Sequence, residues 1–326
     1  MKAVVRTQYG PPEVLGLQEV ARPIPTDDEV LIKLQAVSVN RSDWEGLIGS
    51  PLYTRIGGLR TPRHSILGSD IAGRVEVAGR NIRRFKPGDA VFGDILWRQG
   101  GFAEYVCARE RSLVPKPAGM THEEVAAIPQ AAMIALQGIR DKGQVQPGHR
   151  VLINGGGGGG GMFAVQLAKL YGAEVTGVDN AGKLDFMHSL GADHVIDYTR
   201  EDFTRNGKQY DLILDMVAYH SAFAYKRALR PGGQYFAVGG SLATFFQILL
   251  LGPVISRTTG KHIRVLVVRP NLEDLTHMTE LCTAGKIVPV IDRRYPLREV
   301  PAALRYLGAG HVRGKIIITM EHDDKA

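Results

Sequence analysis

The sequence predicts an α/β protein in which a partly closed β-barrel domain is joined to a doubly wound parallel sheet. Residues 1 to about 120 are dense in short β-forming runs separated by Gly and Pro, a pattern typical of a small barrel. From about Thr121 the pattern changes, and short apolar strands alternate with helical segments. This alternation predicts a Rossmann sheet with the strand order 3-2-1-4-5-6.

The two predicted domains interleave along the chain. Thr121 and Glu124 form a capping box that predicts a helix start, and residues 271–284 are expected to form the last helix of the parallel-sheet domain. The tail then returns to β character and is expected to rejoin the barrel. We therefore assign residues 1–122 and 286–326 to the barrel domain and 123–285 to the nucleotide-binding domain. The predicted parallel strands are 151–154, 174–178, 194–196, 211–215, 234–238 and 263–268.

A run of seven glycines, residues 155–161, separates the first of these strands from a helical stretch. A strand, a glycine turn and a helix in that order predict a dinucleotide site, because the unpaired N–H groups of the helix N-terminus attract a pyrophosphate. Within the run, Gly156, Gly158 and Gly161 satisfy G-x-G-x-x-G, and Gly159 lies between them. We expect Gly156 to make the tight turn, Gly158 to let the phosphates approach, and Gly161 to let the helix pack on the strand.

The second strand ends at Asp179, 23 residues after Gly156 (179 − 156). An acid at about this offset is expected to hold the adenosine ribose hydroxyls and to repel a 2′-phosphate, which favours NADH slightly. Lys183 could instead pair with that phosphate. The cofactor is therefore NAD(P)H, with the choice between NADH and NADPH left open.

Composition bounds the class of protein. The formal charge is +7, but no aromatic stacking pattern accompanies the basic residues, so nucleic acid is not favoured as a partner. No apolar run reaches the length of a membrane span, and we expect no membrane partner. The longest run, 245–251, ends at Gly252-Pro253 and is expected to be a buried helix or an oligomer contact. With no signal peptide visible and only two cysteines, a cytoplasmic location is expected.

Seven short motifs are distributed along the whole chain. They are residues 1–4 (MKAV), 10–15 (GPPEVL), 39–43 (VNRSD), 67–73 (LGSDIAG), 85–91 (FKPGDAV), 101–105 (GFAEY) and 190–198 (LGADHVIDY). Together they resemble the motifs of the medium-chain dehydrogenase/reductase superfamily, in its zinc-free quinone oxidoreductase branch. The resemblance implies that the barrel is GroES-like. One departure stands out, because relatives usually have a valine where this chain has Gly160, and we expect a softer phosphate loop.

The resemblance also bears on metal binding. Zinc alcohol dehydrogenases of this superfamily carry a Cys where this chain has Asn40, and a His-Glu pair where it has Ser69 and Asp70. The segment of the third ligand, 126–132, contains no Cys or His. A catalytic zinc needs three protein ligands, and only Asp70 could serve, so we predict no metal site.

By resemblance, Asn40 lies near the nicotinamide ribose and the substrate, although it could be only a turn residue. Asp43 would hold that loop together or cap a local turn. Tyr53 is a candidate hydrogen-bond donor to a developing oxyanion, or a packed loop residue. On the cofactor side we expect contributions from the ends of the fourth and fifth strands and, by resemblance, from a residue after the third strand. These cofactor residues are Val217, Gly239, Gly240, Ser241 and Tyr198.

The predicted function is zinc-independent hydride transfer from NAD(P)H to a quinone or an α,β-unsaturated carbonyl compound. Such substrates spread the negative charge that follows hydride addition and need no Lewis acid. The resemblance implies a homodimer through nucleotide-domain edges. The alternatives are a nucleotide-sensing NAD(P)H-binding protein with little turnover, which contacts nucleic acid or a protein partner, and an alcohol dehydrogenase-type enzyme.

Overall fold

The computed structural model describes residues 1–56 and 58–321, and it confirms the predicted α/β fold class. Within these residues the chain forms fifteen strands. They are β1 (Lys2–Val5), β2 (Gly16–Glu19), β3 (Glu29–Val39), β4 (Asp70–Ala78), β5 (Ala90–Asp94), β6 (Tyr105–Arg109), β7 (Leu113–Pro115), β8 (Arg150–Asn154), β9 (Glu174–Asp179), β10 (His194–Asp197), β11 (Tyr210–Asp215), β12 (Leu229–Ala237), β13 (His262–Val265), β14 (Ile291–Pro296) and β15 (Lys315–Thr319).

Nine α-helices lie in the same described part of the chain, and a π-helical turn at Gln137–Lys142 extends the third of them. The helices are α1 (Arg41–Ile48), α2 (His122–Ala126), α3 (Pro129–Leu136), α4 (Gly159–Leu170), α5 (Leu184–Ser189), α6 (Ala222–Ala228), α7 (Leu242–Thr259), α8 (Leu272–Thr283) and α9 (Val300–Gly308).

The first compact unit is built on a largely antiparallel sheet in the order β14-β15-β3-β4-β5-β7, with β6 also paired to β3. Strand β3 is eleven residues long and almost entirely buried, so it forms the centre of the barrel. The C-terminal strand β15 pairs antiparallel with β3 through Ile316–Val39 and its neighbours. The tail therefore rejoins the first domain, as the sequence predicted.

The second unit contains a six-stranded sheet in the order β10-β9-β8-β11-β12-β13, and every pair in it is parallel. This is the predicted order 3-2-1-4-5-6. From β8 to β10 each new strand is added on one side of the sheet, and from β11 to β13 each is added on the other side. Ligands of such sheets bind at the carboxyl ends of the strands where this direction changes, here between β8 and β11. Asn154 and Asp215 end the two strands there.

The observed units differ from the predicted domain boundaries. One unit comprises Met1–Gln130, Pro270–Gly285 and the residues from Pro289 onward, and the other comprises Ala131–Arg269 with Lys286–Val288. Helix α2 belongs to the barrel because it packs on β3, β4 and β5. Helix α8 follows the last parallel strand, as expected, but it packs on β7, and its Thr283 donates a hydrogen bond to the Met120 sulfur. Helical periodicity shows that a segment is a helix, but it does not identify the sheet that the helix covers.

Helix α7 contradicts the expectation of a buried helix for 245–251. The helix continues through Pro253 to Thr259, and one narrow stripe of it is buried, at Thr244, Ile248, Gly252 and Ile255. In a parallel pair, only every second residue of a strand forms hydrogen bonds with the neighbouring strand. Leu266 N donates to the Ala237 carbonyl at the end of β12, so residues 264 and 262 also face β12. The Ile263 carbonyl therefore points away from β12, toward the outer edge of the sheet. Gly252 packs directly on that carbonyl. Helix α7 therefore covers the edge of the parallel sheet and leaves its own apolar outer face exposed.

The variant Gly252→Ala tests this edge packing. A Cβ at position 252 would lie 2.3 Å from the Ile263 oxygen, which is backbone and cannot move without shifting β13. We expect the free energy of unfolding to fall by about 1–3 kcal/mol, although Ala is the better helix former. Denaturant titration measures this, with Gly119→Ala as the control because nothing lies within 4 Å of a Cβ there. A stabilised Gly252→Ala protein would contradict the packing.

Candidate functional site

The glycine turn after β8 is held by backbone hydrogen bonds to the neighbouring strand. Gly155 N and Gly156 N both donate to the Val178 carbonyl, at 2.8 and 3.1 Å, and Gly158 N donates to the Gly155 carbonyl at 3.1 Å. The left-handed residue is Gly155, with φ of 79°. The bond from Gly158 N to the Gly155 carbonyl closes a turn with Gly156 and Gly157 at its central positions, so Gly156 lies in the tight turn, as expected.

Steric constraints differ along the turn. A Cβ on Gly161 would lie 2.1 Å from the Gly155 oxygen, and one on Gly156 would lie 2.7 Å from the Met187 sulfur. Gly161 thus allows α4 to pack against the turn, as the motif predicts. At Gly158 the nearest atom would be 3.5 Å away, and at Gly160 it would be 3.4 Å away, so the protein itself leaves room at both positions.

The first turn of α4 offers three backbone donors. Gly157 N bonds to the Asp179 carboxylate and Met162 N bonds to the Gly158 carbonyl, whereas Gly159, Gly160 and Gly161 donate to no acceptor in the described residues. Gly158, Gly159 and Gly160 are partly exposed. Three unpaired N–H groups at the positive end of a twelve-residue helix, beside positions with room for a ligand, fit a phosphate group.

Asp179, Lys183 and Tyr198 lie together at the carboxyl ends of β9 and β10. The buried Asp179 carboxylate accepts hydrogen bonds from Gly157 N at 3.1 Å and from Asn180 N at 2.9 Å. The ammonium of Lys183, which is also buried, lies 3.3 Å from the same carboxylate. Tyr198 N donates to the Asp179 carbonyl, and the Tyr198 side chain is exposed. Asp179 is therefore engaged by the protein itself and fixes the glycine turn.

The remaining predicted cofactor residues line the same edge of the sheet. The segment after β11 pairs with the segment after β12, because Ala218 N donates to the Gly239 carbonyl and Ser241 N to the Ala218 carbonyl. Val217 is partly exposed there, and a Cβ on Gly240 would lie 2.2 Å from the Ala218 oxygen. The Ser241 hydroxyl accepts a hydrogen bond from Thr244 N and caps α7. Ser241 thus has a structural role that the sequence analysis did not anticipate.

A buried carboxylate organises this edge, and the sequence analysis missed it. Asp215 accepts hydrogen bonds from the Asn154 amide at 2.7 Å, from Val217 N at 2.9 Å and from the Tyr235 hydroxyl at 2.9 Å. Burial raises its pKa, and these donors oppose the rise. The signal was an acidic residue that ends an apolar strand, opposite the Asn154 that ends the adjacent strand.

In the barrel unit, Asn40 belongs to a buried polar network. Its Nδ2 donates to Asp70 Oδ2 at 2.9 Å, and its Oδ1 accepts a hydrogen bond from the Lys315 ammonium. A cation on one side and a carboxylate on the other fix the orientation of the amide. Asp70 also accepts a hydrogen bond from Gln130 N, at 3.2 Å, and the Lys315 ammonium lies 3.8 Å from its Oδ2. One N–H of Asn40 is left for a further partner.

Asp43 joins two segments of the barrel. It is completely buried and accepts hydrogen bonds from Asn40 N at 2.7 Å and from Gly68 N at 3.1 Å, so it holds the start of α1 against the 67–73 motif. Tyr53 lies apart from this network, and its hydroxyl donates to Glu45 at 3.4 Å. Burial and the Glu45 carboxylate raise the Tyr53 pKa, which makes it a weaker proton donor.

Three carboxylates share one buried cation in this unit. Burial raises the pKa of Asp43 to about 7 and that of Asp94 to about 8, and the nearby Asp70 charge contributes to both shifts. Burial lowers the pKa of Lys315, and Asp70, Asp43 and Asp94 oppose this change. Because one ammonium faces three carboxyl groups, protonation of the outer ones relieves their repulsion.

Lys315, Gln130 and Asp94 also belong to this network, and none of them was predicted from the sequence. Lys315 precedes the apolar run 316–318 in β15, and a lysine that starts a buried strand needs a counter-ion, which was the available signal. Gln130 bonds to Ser69 through Nε2 and to Ser42 through Oε1, both at 2.9 Å. Nothing in the sequence marks Gln130, because its partners lie 60 or more residues away.

Comparisons with known proteins agree with this architecture. A family model described as "Alcohol dehydrogenase GroES-like domain" matches residues 26–118, and one described as "Zinc-binding dehydrogenase" matches residues 190–318. The NAD(P)H oxidoreductase RTN4IP1, mitochondrial, of Bos taurus is 32% identical over 361 residues, covering 98% of this chain and 89% of the relative. The 2-methylene-furan-3-one reductase of Solanum lycopersicum is 32% identical over 330 residues, covering 98% and 79%.

A solved structure is also similar over the full length. The quinone oxidoreductase from Coxiella burnetii superposes with a TM-score of 0.87 at 28% identity, covering 98% of this chain and 99% of that one. The chain belongs to the medium-chain dehydrogenase/reductase superfamily and is quinone oxidoreductase-like within it. It is an oxidoreductase.

Because zinc occurs in the description of one matching family, the fit of a zinc ion has to be tested. Asp70 is the one predicted position with a suitable donor, and its oxygens already accept from Asn40 Nδ2 and Gln130 N and face the Lys315 ammonium. In the described part of the chain, no group of three or more His, Cys, Asp or Glu residues is arranged to hold a metal. These residues do not fit a catalytic zinc, which needs three free ligands.

The pair Gly160→Ala and Gly161→Ala tests the geometry of the glycine turn. Ala at 160 has room and a better helix propensity, so we expect the free energy of unfolding to rise by about 0.5–1 kcal/mol. Ala at 161 would press on the Gly155 oxygen, and we expect a loss of about 1–3 kcal/mol. Urea titration of the two purified variants measures both changes. Equal effects of the two substitutions would show that the turn is not packed as described.

The variant Asp94→Asn tests the shared-cation network. The pKa of the Asp94 carboxyl group is about 4 in the unfolded chain and is raised to about 8 in the folded protein. The protonated carboxyl group therefore favours the folded state at pH values below about 4, and this contribution to stability is lost as the pH rises from about 4 to about 8. Asn keeps the acceptor for Leu96 N but carries no charge. We expect near-equal stabilities at pH 4 and a variant roughly 2 kcal/mol more stable at pH 9.

Denaturant midpoints across this pH range measure the difference between wild type and Asp94→Asn. The exposed Asp185→Asn variant serves as the control and should follow wild type at every pH. If Asp94→Asn instead loses stability as the pH rises, its charge is a favourable partner of Lys315 and the network has been misassigned.

Proposed function

We propose that this chain is a zinc-independent, NAD(P)H-dependent reductase of quinones and α,β-unsaturated carbonyl compounds. The observation that carries the proposal is that the Asp70 carboxylate already has protein partners. Where a metal would have to bind, Asn40 donates a hydrogen bond to this carboxylate and the buried Lys315 ammonium lies beside it. The names of the tomato reductase and the Coxiella oxidoreductase, which refer to an enone and a quinone, support the substrate class.

The glycine turn and the strand ends beside it would hold the cofactor. The N–H groups of Gly159, Gly160 and Gly161 would bind the pyrophosphate, and the loops at Val217 and Gly239–Ser241 would lie along the rest of the molecule. When bound, the reduced nicotinamide supplies the hydride. Asp215 fixes the Val217 loop and Asn154, so these contacts would form without rearrangement of the backbone.

The substrate side would rely on orientation and hydrogen bonding. Asn40 has one amide N–H that no described partner uses, and its ring of buried partners keeps that N–H in one direction. A fixed neutral donor can stabilise a negative charge that is spread over an enolate or a hydroquinone anion. The localised charge of an alkoxide needs more stabilisation than one neutral donor supplies, which favours quinones and enones over simple ketones.

The finer choice of cofactor follows from Asp179. The NADH preference expected from the sequence required a free carboxylate, whereas here Asp179 accepts from Gly157 N and Asn180 N and pairs with Lys183. A neutralised carboxylate repels a 2′-phosphate less, and Lys183 keeps further N–H donors for it. We therefore favour NADPH. A cytoplasmic location stays a prediction from the sequence.

Turnover with a matched set of substrates tests the proposed function. The purified protein should oxidise NADPH with 9,10-phenanthrenequinone and with a simple enone, but at least about a hundredfold more slowly with the corresponding saturated ketone. Metal analysis of the same sample should show less zinc than protein. Cofactor binding without turnover on any of these substrates would instead favour a nucleotide-sensing protein, and stoichiometric zinc would favour an alcohol dehydrogenase.

The variant Lys183→Ala tests the cofactor assignment. Loss of a charge-assisted contact to the 2′-phosphate should raise KM for NADPH by about tenfold or more and leave KM for NADH within about threefold. Steady-state kinetics with both cofactors measure the ratio, which cancels any general damage from the unpaired Asp179. The exposed Lys208→Ala variant is the control. An equal change for both cofactors would show that Lys183 serves only the ion pair with Asp179.

A further inference from the structure

The net charge of the protein comes from one stretch of sequence. Residues 216–272, here called the acid-free segment, contain seven Lys and Arg residues and no Asp or Glu. The rest of the chain then has 33 basic residues (40 − 7) and 33 acidic residues, and it is neutral overall. The acid-free segment spans α6, β12, α7 and β13, so the excess positive charge belongs to one end of the parallel sheet.

The outer face of α7 is apolar and uncovered. Phe246, Leu249, Leu250 and Val254 recur at helical spacing and are 63, 61, 72 and 56% exposed. Leu242, Ala243 and Pro253 share this face. Isolated exposed apolar residues are common, but a continuous face of this kind on an 18-residue helix indicates an interaction site.

Four cations accompany this face. Arg257 lies on it, one turn beyond Val254, and Lys261 follows the end of the helix and donates to the Lys226 carbonyl of α6. Arg264 contacts His262, which in turn contacts Ser256 of α7. Lys226, Arg257, Lys261 and Arg264 form no ion pair with any residue in the described ranges, whereas Arg230 is paired with Asp211.

Helix α7 has the length and hydropathy of a membrane span, but its packing is that of a surface helix. The stripe at Thr244, Ile248, Gly252 and Ile255 is buried in its own domain, and Gly252 rests on the edge of β13. The helix therefore cannot cross a bilayer without unfolding this edge. An apolar face with basic residues beside it is instead the pattern of a helix that lies in the plane of a membrane interface.

We propose that the outer face of α7 binds the surface of an anionic lipid bilayer, with its apolar side chains in the interface and the four cations near the headgroups. A second copy of the chain is the other possible occupant, since a homodimer is predicted by resemblance. In a two-fold contact of α7 on itself, neither copy would offer an acidic residue of the acid-free segment to pair with Arg257, Lys261 or Arg264 of the other. Charge complementarity therefore favours the anionic bilayer and revises the expectation of no membrane partner.

Co-sedimentation with unilamellar vesicles tests the proposal. The probes are vesicles of phosphatidylcholine alone and of phosphatidylcholine with phosphatidylglycerol. We expect at least about tenfold tighter binding to the anionic vesicles, weakened by salt. The double variant Leu249→Gln/Leu250→Gln should lose about tenfold or more of this binding, and Arg257→Gln about fivefold.

Matched controls come from the barrel unit, where Ile24→Gln removes an apolar side chain that is even more exposed than Leu249 and Leu250, and Arg109→Gln removes an exposed cation. Both should bind anionic vesicles as wild type does, and thermal melts should show that all variants are folded. The proposal is overturned if the wild-type protein does not bind vesicles, if it binds neutral and anionic vesicles equally, or if the α7 substitutions leave the binding unchanged. A second result would also overturn it. If the wild-type protein sediments as a dimer, Leu249→Gln/Leu250→Gln sediments as a monomer and neither protein binds vesicles, then α7 is an interface between copies of the chain.

Discussion

The contact between Gly161 and the Gly155 carbonyl is the constraint on which the nucleotide-binding unit depends. It exists because neither residue has a side chain at the point where α4 turns back over the end of β8. With the helix held there, Gly155 N and Gly156 N reach the Val178 carbonyl and tie the turn to β9. The N–H groups of Gly159, Gly160 and Gly161 are then left without an acceptor among the residues that the structure describes. The proposed cofactor site is thus a consequence of how closely a strand, a turn and a helix can approach.

The barrel unit reaches its polar geometry by a different route. Asn40, Asp70 and Lys315 come from three distant segments, and each satisfies a hydrogen-bonding group that burial would otherwise leave unpaired. A buried ammonium holds the carboxylate that a metal would need, so the network positions an amide and provides no Lewis acid. Under the proposed function, this arrangement would favour substrates that can carry negative charge in their own π system.

Much of the fold could be predicted because the relevant signals are local. The six parallel strands are short apolar runs bounded by turn residues, and their order follows from the alternation with helices. The position of α8 could not be predicted this way, since its periodicity is the same whichever sheet it covers. For α7 the sequence left open a buried helix or an oligomer contact, because a run of apolar residues does not show whether one face or all faces are buried. Here only Thr244, Ile248, Gly252 and Ile255 are buried.

The residues of the candidate site also fall into those that a local sequence signal predicts and those that only the folded chain brings together. The glycine turn and Asp179 are close in sequence to the strands that position them, so the motif located them. Lys315 and Asp94 come close to Asp70 only after the barrel closes, and no local sequence pattern predicts these contacts. Asp179 also shows the limit of a motif: the spacing was as expected, but the carboxylate is used by the protein itself.

The central claim is that the backbone N–H groups of Gly159, Gly160 and Gly161 bind the pyrophosphate of a reduced nicotinamide dinucleotide. Amide hydrogen exchange of the wild-type protein, with and without saturating NADPH, tests it most directly. The account predicts that peptides covering the glycine turn and the first turn of α4 become protected when calorimetry shows the cofactor to be bound. Binding with no change in these peptides, or protection confined to another part of the chain, would contradict it.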